Sequence, residues 1–269
     1  MEAFETMPKN LHTFGDTWKT YSSGNVTITG VELSDKHPEI YDTLTLDPGK
    51  INIVMMHGQE TEVQGKNDAE VIRLRELRDH NIDYLALGHI HAKKAGKLDS
   101  RGVYAYSGCL EGRGFDETGE KGFILLEIDE EKKEIERKFV PFAMRTVHHV
   151  DVDTTGLFST ADVILKIREE LSSRSIEKKD LVEVLLTGSY DAENELDQAQ
   201  ILVAFKFDYY VFKLKTGLRL TVDYSVYEND CSLKGEFIRL VKADPSMTED
   251  EKAEAIRMAI SALNGEVLK

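Results

Sequence analysis

Cysteine is nearly missing from this chain of 269 residues: Cys109 and Cys231 stand far apart and form no Cys-x-x-Cys. That argues against a disulfide framework and makes a reducing cytoplasm the expected setting. Long apolar runs are absent too. None approaches the roughly 18–20 residues a membrane-spanning helix needs, so no membrane partner is expected. The opening Met1-Glu2-Ala3-Phe4-Glu5 is acidic and lacks a signal-peptide apolar stretch. Prolines number only five, and there is neither an internal repeat nor a low-complexity segment. Positive charge is in deficit, with 34 Lys and Arg against 49 Asp and Glu, a net charge of −15. Both halves share the deficit: residues 1–143 carry 18 basic and 26 acidic side chains, net −8, and residues 144–269 carry 16 and 23, net −7. A general basic surface for nucleic acid is thereby excluded, because such binding rests on neutralising phosphates. Any nucleic-acid contact has to be local or supplied by a partner. One such local patch is Lys93, Lys94, Lys97 and Arg101, opposed in their stretch only by Asp99; it reads either as a solvated hairpin or as a phosphate-facing surface.

The composition is otherwise that of a globular protein able to bury a core in each half, with 41% hydrophobic and 31% charged residues. Val26–Leu33 alternates with period two and reads as a strand. Ile51–Met56 and Tyr84–Leu87 are almost wholly apolar, as strands buried on both faces are. Between them Asn67 and Glu70 suit a helix start, with Val71, Leu74 and Leu77 as its apolar side and an end near His80-Asn81. The unit is α/β in character. Gly96–Leu98, Val103–Tyr106, Phe123–Ile128 and Glu134–Phe142 then read as a run of short antiparallel strands. A second region opens between about Phe142 and Val150. Its expected helices are Ser159–Ser173, Glu193–Phe205 and Lys234–Lys242; its expected strands are Leu181–Thr187, Tyr209–Lys215 and Leu218–Val226, with Thr216-Gly217 as the turn between the last two. A final helix comes after Pro245, with Thr248 and Glu251 as a capping box, a stripe of Ile256, Ala259, Ile260 and Leu263, and Gly265 at its end.

The chemistry concentrates in histidines. Both buried strands end in one: His57-Gly58 after Ile51–Met56, and Gly88-His89-Ile90-His91 after Tyr84–Leu87. In α/β sheets ligands sit beyond the carboxyl ends of strands, and imidazole is a ready ligand for zinc, manganese and iron. Gly88 removes a side chain just ahead of the pair, so the backbone can be approached closely there.

These residues resemble the late motifs of calcineurin-like metallophosphoesterases, and more narrowly of SbcD-type DNA repair exonuclease subunits and their YhaO-like relatives. That family has a lone histidine after a strand and then a Gly-His-x-His. Tyr106-Ser107-Gly108-Cys109-Leu110-Glu111-Gly112-Arg113 and Gly119-Glu120-Lys121-Gly122-Phe123 resemble the family's next segment, and Leu233-Lys234-Gly235-Glu236-Phe237 resembles a motif of the C-terminal capping region. The resemblance spans nearly the whole chain. It implies an α/β (α+β) fold: over 1–143, the C-terminal part of a β-sandwich flanked by helices, and over 144–269, a smaller α+β capping domain. It also implies two divalent metal ions, manganese foremost, with His57 and His89 serving one and His91 the other. Lys93, Lys94 and Arg113 become candidates for phosphate or DNA contact. Expected partners are an SbcC-type coiled-coil ATPase and DNA.

The family's early motifs, Asp-x-His, Gly-Asp-x-x-Asp and Asn-His-Asp after Gly, have no match. Gly15-Asp16 lacks the second aspartate, Gly24-Asn25 continues into Val26-Thr27, and His12 and His37 have no aspartate in pattern. Leu11-His12-Thr13-Phe14-Gly15 resembles a stretch that the family places shortly after those motifs. The first two βα units are therefore expected to be missing, and the family's catalytic histidine with them. With one or two neutral ligands per ion the two-metal site is incomplete. Three readings are open. One is the C-terminal portion of a metal-dependent exonuclease subunit, inactive alone and completed by its missing half or prone to self-association. Another is a non-catalytic module binding the ATPase or DNA. The third is a phosphatase of small phosphoesters with the second region as a lid.

Overall fold

The computed structural model describes residues 8–34, 39–62, 71–192, 194 and 196–263. It is a mixed α/β structure in two compact units, one of residues up to 112 with 120–144, the other of 113–119 with the chain from 145 onward. Among the described residues no helix is long and apolar enough to cross a membrane.

The first unit contains β1 (Lys19–Ser23), β2 (Val26–Gly30), β3 (Ile51–His57), β4 (Gln59–Thr61), β5 (Val71–Arg73), α1 (Leu74–Leu77), β6 (Tyr84–Gly88), β7 (Lys94–Lys97), β8 (Val103–Tyr106), β9 (Gly122–Asp129) and β10 (Glu134–Pro141). Six strands form one sheet in the order β1-β2-β3-β6-β8-β7. Its four inner strands are parallel and the two edges antiparallel. The apolar runs of β3 and β6 reflect their central place, since both faces are covered. Val54, Met56, Leu85 and Leu87 join one core with Ile72, Leu74 and Leu77. Ile53 and Tyr84 join another with Ile124, Leu126, Ile128 and Ile135 of the β9–β10 hairpin. Val54 and Leu85 are wholly buried, each stabilising the sheet by roughly 1.5–3 kcal/mol relative to exposure.

A polar lock holds the starts of β3 and β6. Buried Asn52 accepts from Thr27 Oγ1 (2.6 Å) and donates to the carbonyls of Asp47 and Asn81 (2.9 Å each). Its N–H donates to Asp83 Oδ2 at 2.7 Å, and Arg101 grips the same carboxylate with two bonds of 2.8 Å.

The second unit contains β11 (Val147–Asp153), α2 (Thr160–Ser172), β12 (Leu181–Thr187), β13 (Ser189–Asp191), α3 (Gln198–Phe205), β14 (Val211–Thr216), β15 (Arg219–Thr221), α4 (Leu233–Ala243) and α5 (Glu249–Leu263). β11, β12 and β14 make a parallel sheet. Val163, Ile167, Leu171, Ile201 and Phe205 of α2 and α3 pack on its Val150, Val152, Val182, Val184 and Leu186.

Several expectations need correcting. The helix expected from Asn67 has its cap outside the described residues, and from Val71 the chain is strand, paired in parallel with β4. Tyr41 holds it extended: its hydroxyl donates to the Val71 carbonyl (3.4 Å) and accepts from the Arg73 N–H (3.2 Å). Only the single turn α1 remains helical. The expected antiparallel run is two separate antiparallel pairs, β7 with β8 and β9 with β10, and β8 also lies parallel to β6 on its other side. The turn expected at Thr216-Gly217 is not made. The Gly217 N–H donates to the Leu186 carbonyl (2.8 Å) and the Arg219 N–H to that of Gly188 (2.9 Å), so the chain runs on beside β12 and β13. The strand expected over Leu218–Val226 is cut to β15, and Tyr224–Tyr227 forms a 3₁₀ turn. The helix expected from Glu193 begins at Gln198, where Asp197 caps it by accepting from the Gln200 N–H (3.0 Å). The Thr248–Glu251 capping box of α5 is formed as read; Gly265 lies outside the described residues.

Candidate functional site

β3 and β6 pair in register, so that His57 stands opposite Gly88 at the carboxyl end of the sheet. The rings of His57 and His89 meet there edge to face, with centroids 5.4 Å apart. Two local features make this possible. A Cβ at Gly88 would lie 2.8 Å from His57 Nδ1, so any larger residue displaces that ring. His89 adopts φ +111°, a backbone state rarely open to a residue with a side chain and a form of strain found where function demands it. The Gly58 N–H donates to the Gly88 carbonyl at 3.1 Å, tying the two strand ends together.

A buried polar chain fixes the backbone beyond His57. The Tyr106 hydroxyl donates to the Gly58 carbonyl (2.8 Å) and accepts from the Glu60 N–H (2.9 Å). Burial, with Glu60 beside it, pushes the Tyr106 phenol well above its usual range. The Glu60 side chain is 7% exposed and paired with Lys94. Burial disfavours its charge, but the hydrogen bond and positive charge of Lys94 help to outweigh that and hold the carboxyl below the ordinary glutamate range.

His91 stands apart from the pair in one respect: it is anchored by its backbone. Its carbonyl accepts from the buried Lys121 Nζ (3.0 Å) and the Cys109 N–H (3.4 Å). Gly108 permits this wrap, since a Cβ there would lie 2.9 Å from the same carbonyl. Among the described residues no group of three or more His, Cys, Asp and Glu side chains is placed to hold a metal ion. Of the three strand-end histidines, His57 and His89 have their rings in contact. The candidate phosphate contacts are engaged elsewhere. Lys94 pairs with Glu60, Lys93 lies 4.2 Å over the Phe139 ring, and Arg113, in the second unit, has Glu117 Oε1 at 3.8 Å.

Two imidazoles 5.4 Å apart are within reach of one shared ion, given metal–nitrogen distances of about 2.0–2.1 Å. Two neutral donors nonetheless leave a divalent charge uncompensated and most coordination positions unfilled. This donor set does not fit a two-metal centre. Sequence reading missed Glu60, Tyr106 and Lys121 as supports of the histidines. The only signals were the position of Glu60 three residues after His57 and the Gly-Glu-Lys-Gly stretch containing Lys121. No family model matches this chain, and no curated protein matches it.

Proposed function

We propose that this chain is the histidine-bearing part of a cytoplasmic, manganese-dependent phosphodiesterase, a DNA repair exonuclease subunit of the calcineurin-like kind. The observation that carries the reading is the His57–His89 pair: two imidazoles in contact at the carboxyl ends of adjacent parallel strands, with a glycine clearing room for one ring and a strained backbone at the other. Backbone strain of this kind persists only where the surroundings enforce it, and it clusters at ligand and active sites. Because the carboxylates of a two-metal centre are not assembled with the pair, the chain by itself is inert. They would come from a complementary polypeptide bearing Asp-x-His and Gly-Asp-x-x-Asp. The test is hydrolysis of bis(p-nitrophenyl) phosphate with Mn²⁺, by the chain alone and with a co-expressed segment of that kind. Activity is expected only in the complemented sample, and is lost on His57→Ala or His89→Ala. A complemented sample that stays inert, or histidine variants as active as the parent, would overturn the reading.

A second reading is a non-catalytic module that docks on an SbcC-type coiled-coil ATPase. It is favoured by Val203 and Phe207, 70% and 86% exposed at and just beyond the end of α3. Co-purification of such an ATPase, lost on Phe207→Asp but kept in His89→Ala, would support it.

A further inference from the structure

The end of the second unit holds a cleft that the histidine site does not involve. α4, α5 and the 3₁₀ turn Tyr224–Tyr227 pack around Tyr227, Ile238, Ile256 and Ile260. Beside this small core opens a cavity of about 430 Å³ lined by Tyr224, Tyr227, Glu228, Ile238, Arg239 and Lys242. That size is within the roughly 300–1,000 Å³ of small-molecule sites, which combine apolar walls with a few convergent polar groups.

Two of its polar groups are left with bonding capacity to spare. Arg239 Nη1 donates to the carbonyls of Tyr227 (2.7 Å) and Asp230 (2.6 Å). Those two bonds fix the plane of the guanidinium, while its Nε and Nη2 donate to none of the described residues. Lys242 Nζ lies 5.1 Å over the Tyr224 ring and pairs with no carboxylate among the described residues. Against these two cations the lining offers one carboxylate, Glu228, in a chain whose net charge is −15.

We propose that this cleft binds a small aromatic anion, a ring carrying one phosphate or carboxylate. Tyr224 and Ile238 supply the apolar wall for the ring. The Arg239 guanidinium and the Lys242 ammonium supply donors to the anion, and Glu228 disfavours a second negative group. The site stands whether or not the histidine pair serves a phosphodiesterase.

The experiment is an amide NMR titration of the full chain with four probes: phenyl phosphate, benzoate, phenol and inorganic phosphate. Saturable shifts are expected over residues 224–243 for the first two, with the tighter of them identifying the anion. Ring and charge act together, so that ligand binds at least about tenfold tighter than phenol or inorganic phosphate. Lys242→Glu weakens it by about three- to tenfold. Arg239 is left in place because it also holds the turn. The proposal is overturned if no saturable shifts occur in this segment, if neither aromatic anion outbinds inorganic phosphate, or if Lys242→Glu binds like the parent.

Discussion

His89 bears the conformational cost of the histidine pair. A φ of +111° at a residue with a Cβ costs on the order of 1–3 kcal/mol and persists only where neighbours enforce it. Glycine removes that strain, at an entropic cost of roughly 0.5–1 kcal/mol. His89→Gly is therefore expected to be as stable as the parent or up to about 2 kcal/mol more stable, although it deletes an imidazole from the site. His91 has no such backbone state, so His91→Gly has only the entropic cost and is expected to be less stable. Urea midpoints of the two variants decide it: a His89→Gly less stable than His91→Gly would show that the backbone at His89 is unstrained. Gly88 obeys the opposite rule. Its lack of a side chain is needed by a neighbour, the His57 ring, rather than by its own dihedral angles.

The parallel sheet of the second unit depends on a residue just ahead of β12. The Asp180 carboxylate accepts from the N–H groups of Thr146 and Glu177 (3.0 Å each) and lies 3.0 Å from His148 Nε2. Its own carbonyl accepts from the Tyr210 N–H at 3.1 Å. One aspartate thus ties together the starts of β11, β12 and β14. Burial opposes its charge, but the two backbone donors and then His148 outweigh burial and hold the carboxyl below the ordinary aspartate range. The folded pKa is therefore lower than the unfolded value of about 3.9. The stabilisation is fully present above that value and is lost as pH falls below it toward the folded pKa. We expect Asp180→Asn to be less stable than the parent near pH 7 and to lose less stability on acidification from about pH 6 to pH 3. Denaturant titrations at the two pH values check it; parallel losses in both proteins would rule Asp180 out as the titrating group.

The whole molecule is acidic on both sides of its division into units. Its six-stranded sheet ends on β1 and β7, which carry Lys19 and Lys94 with Lys97. Charged edges of this kind discourage strand addition. β3 and β6 are both interior, so neither apolar strand offers an edge for self-association. With −15 net charge, and with Lys93, Lys94 and Arg101 engaged by Phe139, Glu60 and Asp83, the described surface offers no broad counterpart to phosphate. Random-sequence duplex DNA is expected to show no mobility shift with this chain at about 0.15 M salt. A shift that weakened steeply with added salt would instead reveal several phosphate contacts made by the chain alone.

Where an interaction lies within a few residues, the sequence by itself determined it. Thr248 and Glu251 cap α5 because they are three residues apart. β12 was legible from Leu181 to Thr187, and β3 and β6 were legible as apolar runs, because strands inside a parallel sheet are mostly covered and so largely apolar. Strand-end histidines were legible from the same runs. Only tertiary structure decided the rest. Val71, Leu74 and Leu77 suit a helix as spaced, yet Tyr41, 30 residues before Val71, holds the first of them in a strand. Thr216-Gly217 has the composition of a turn, yet the edge of β12 and β13 keeps the chain extended. The contact between His57 and His89, and the support of Gly58 by Tyr106, 48 residues away, depend on the register of parallel strands. Parallel neighbours are joined by long crossovers, so their pairing is set by the packing of cores and crossover segments, and local residue patterns carry no record of it.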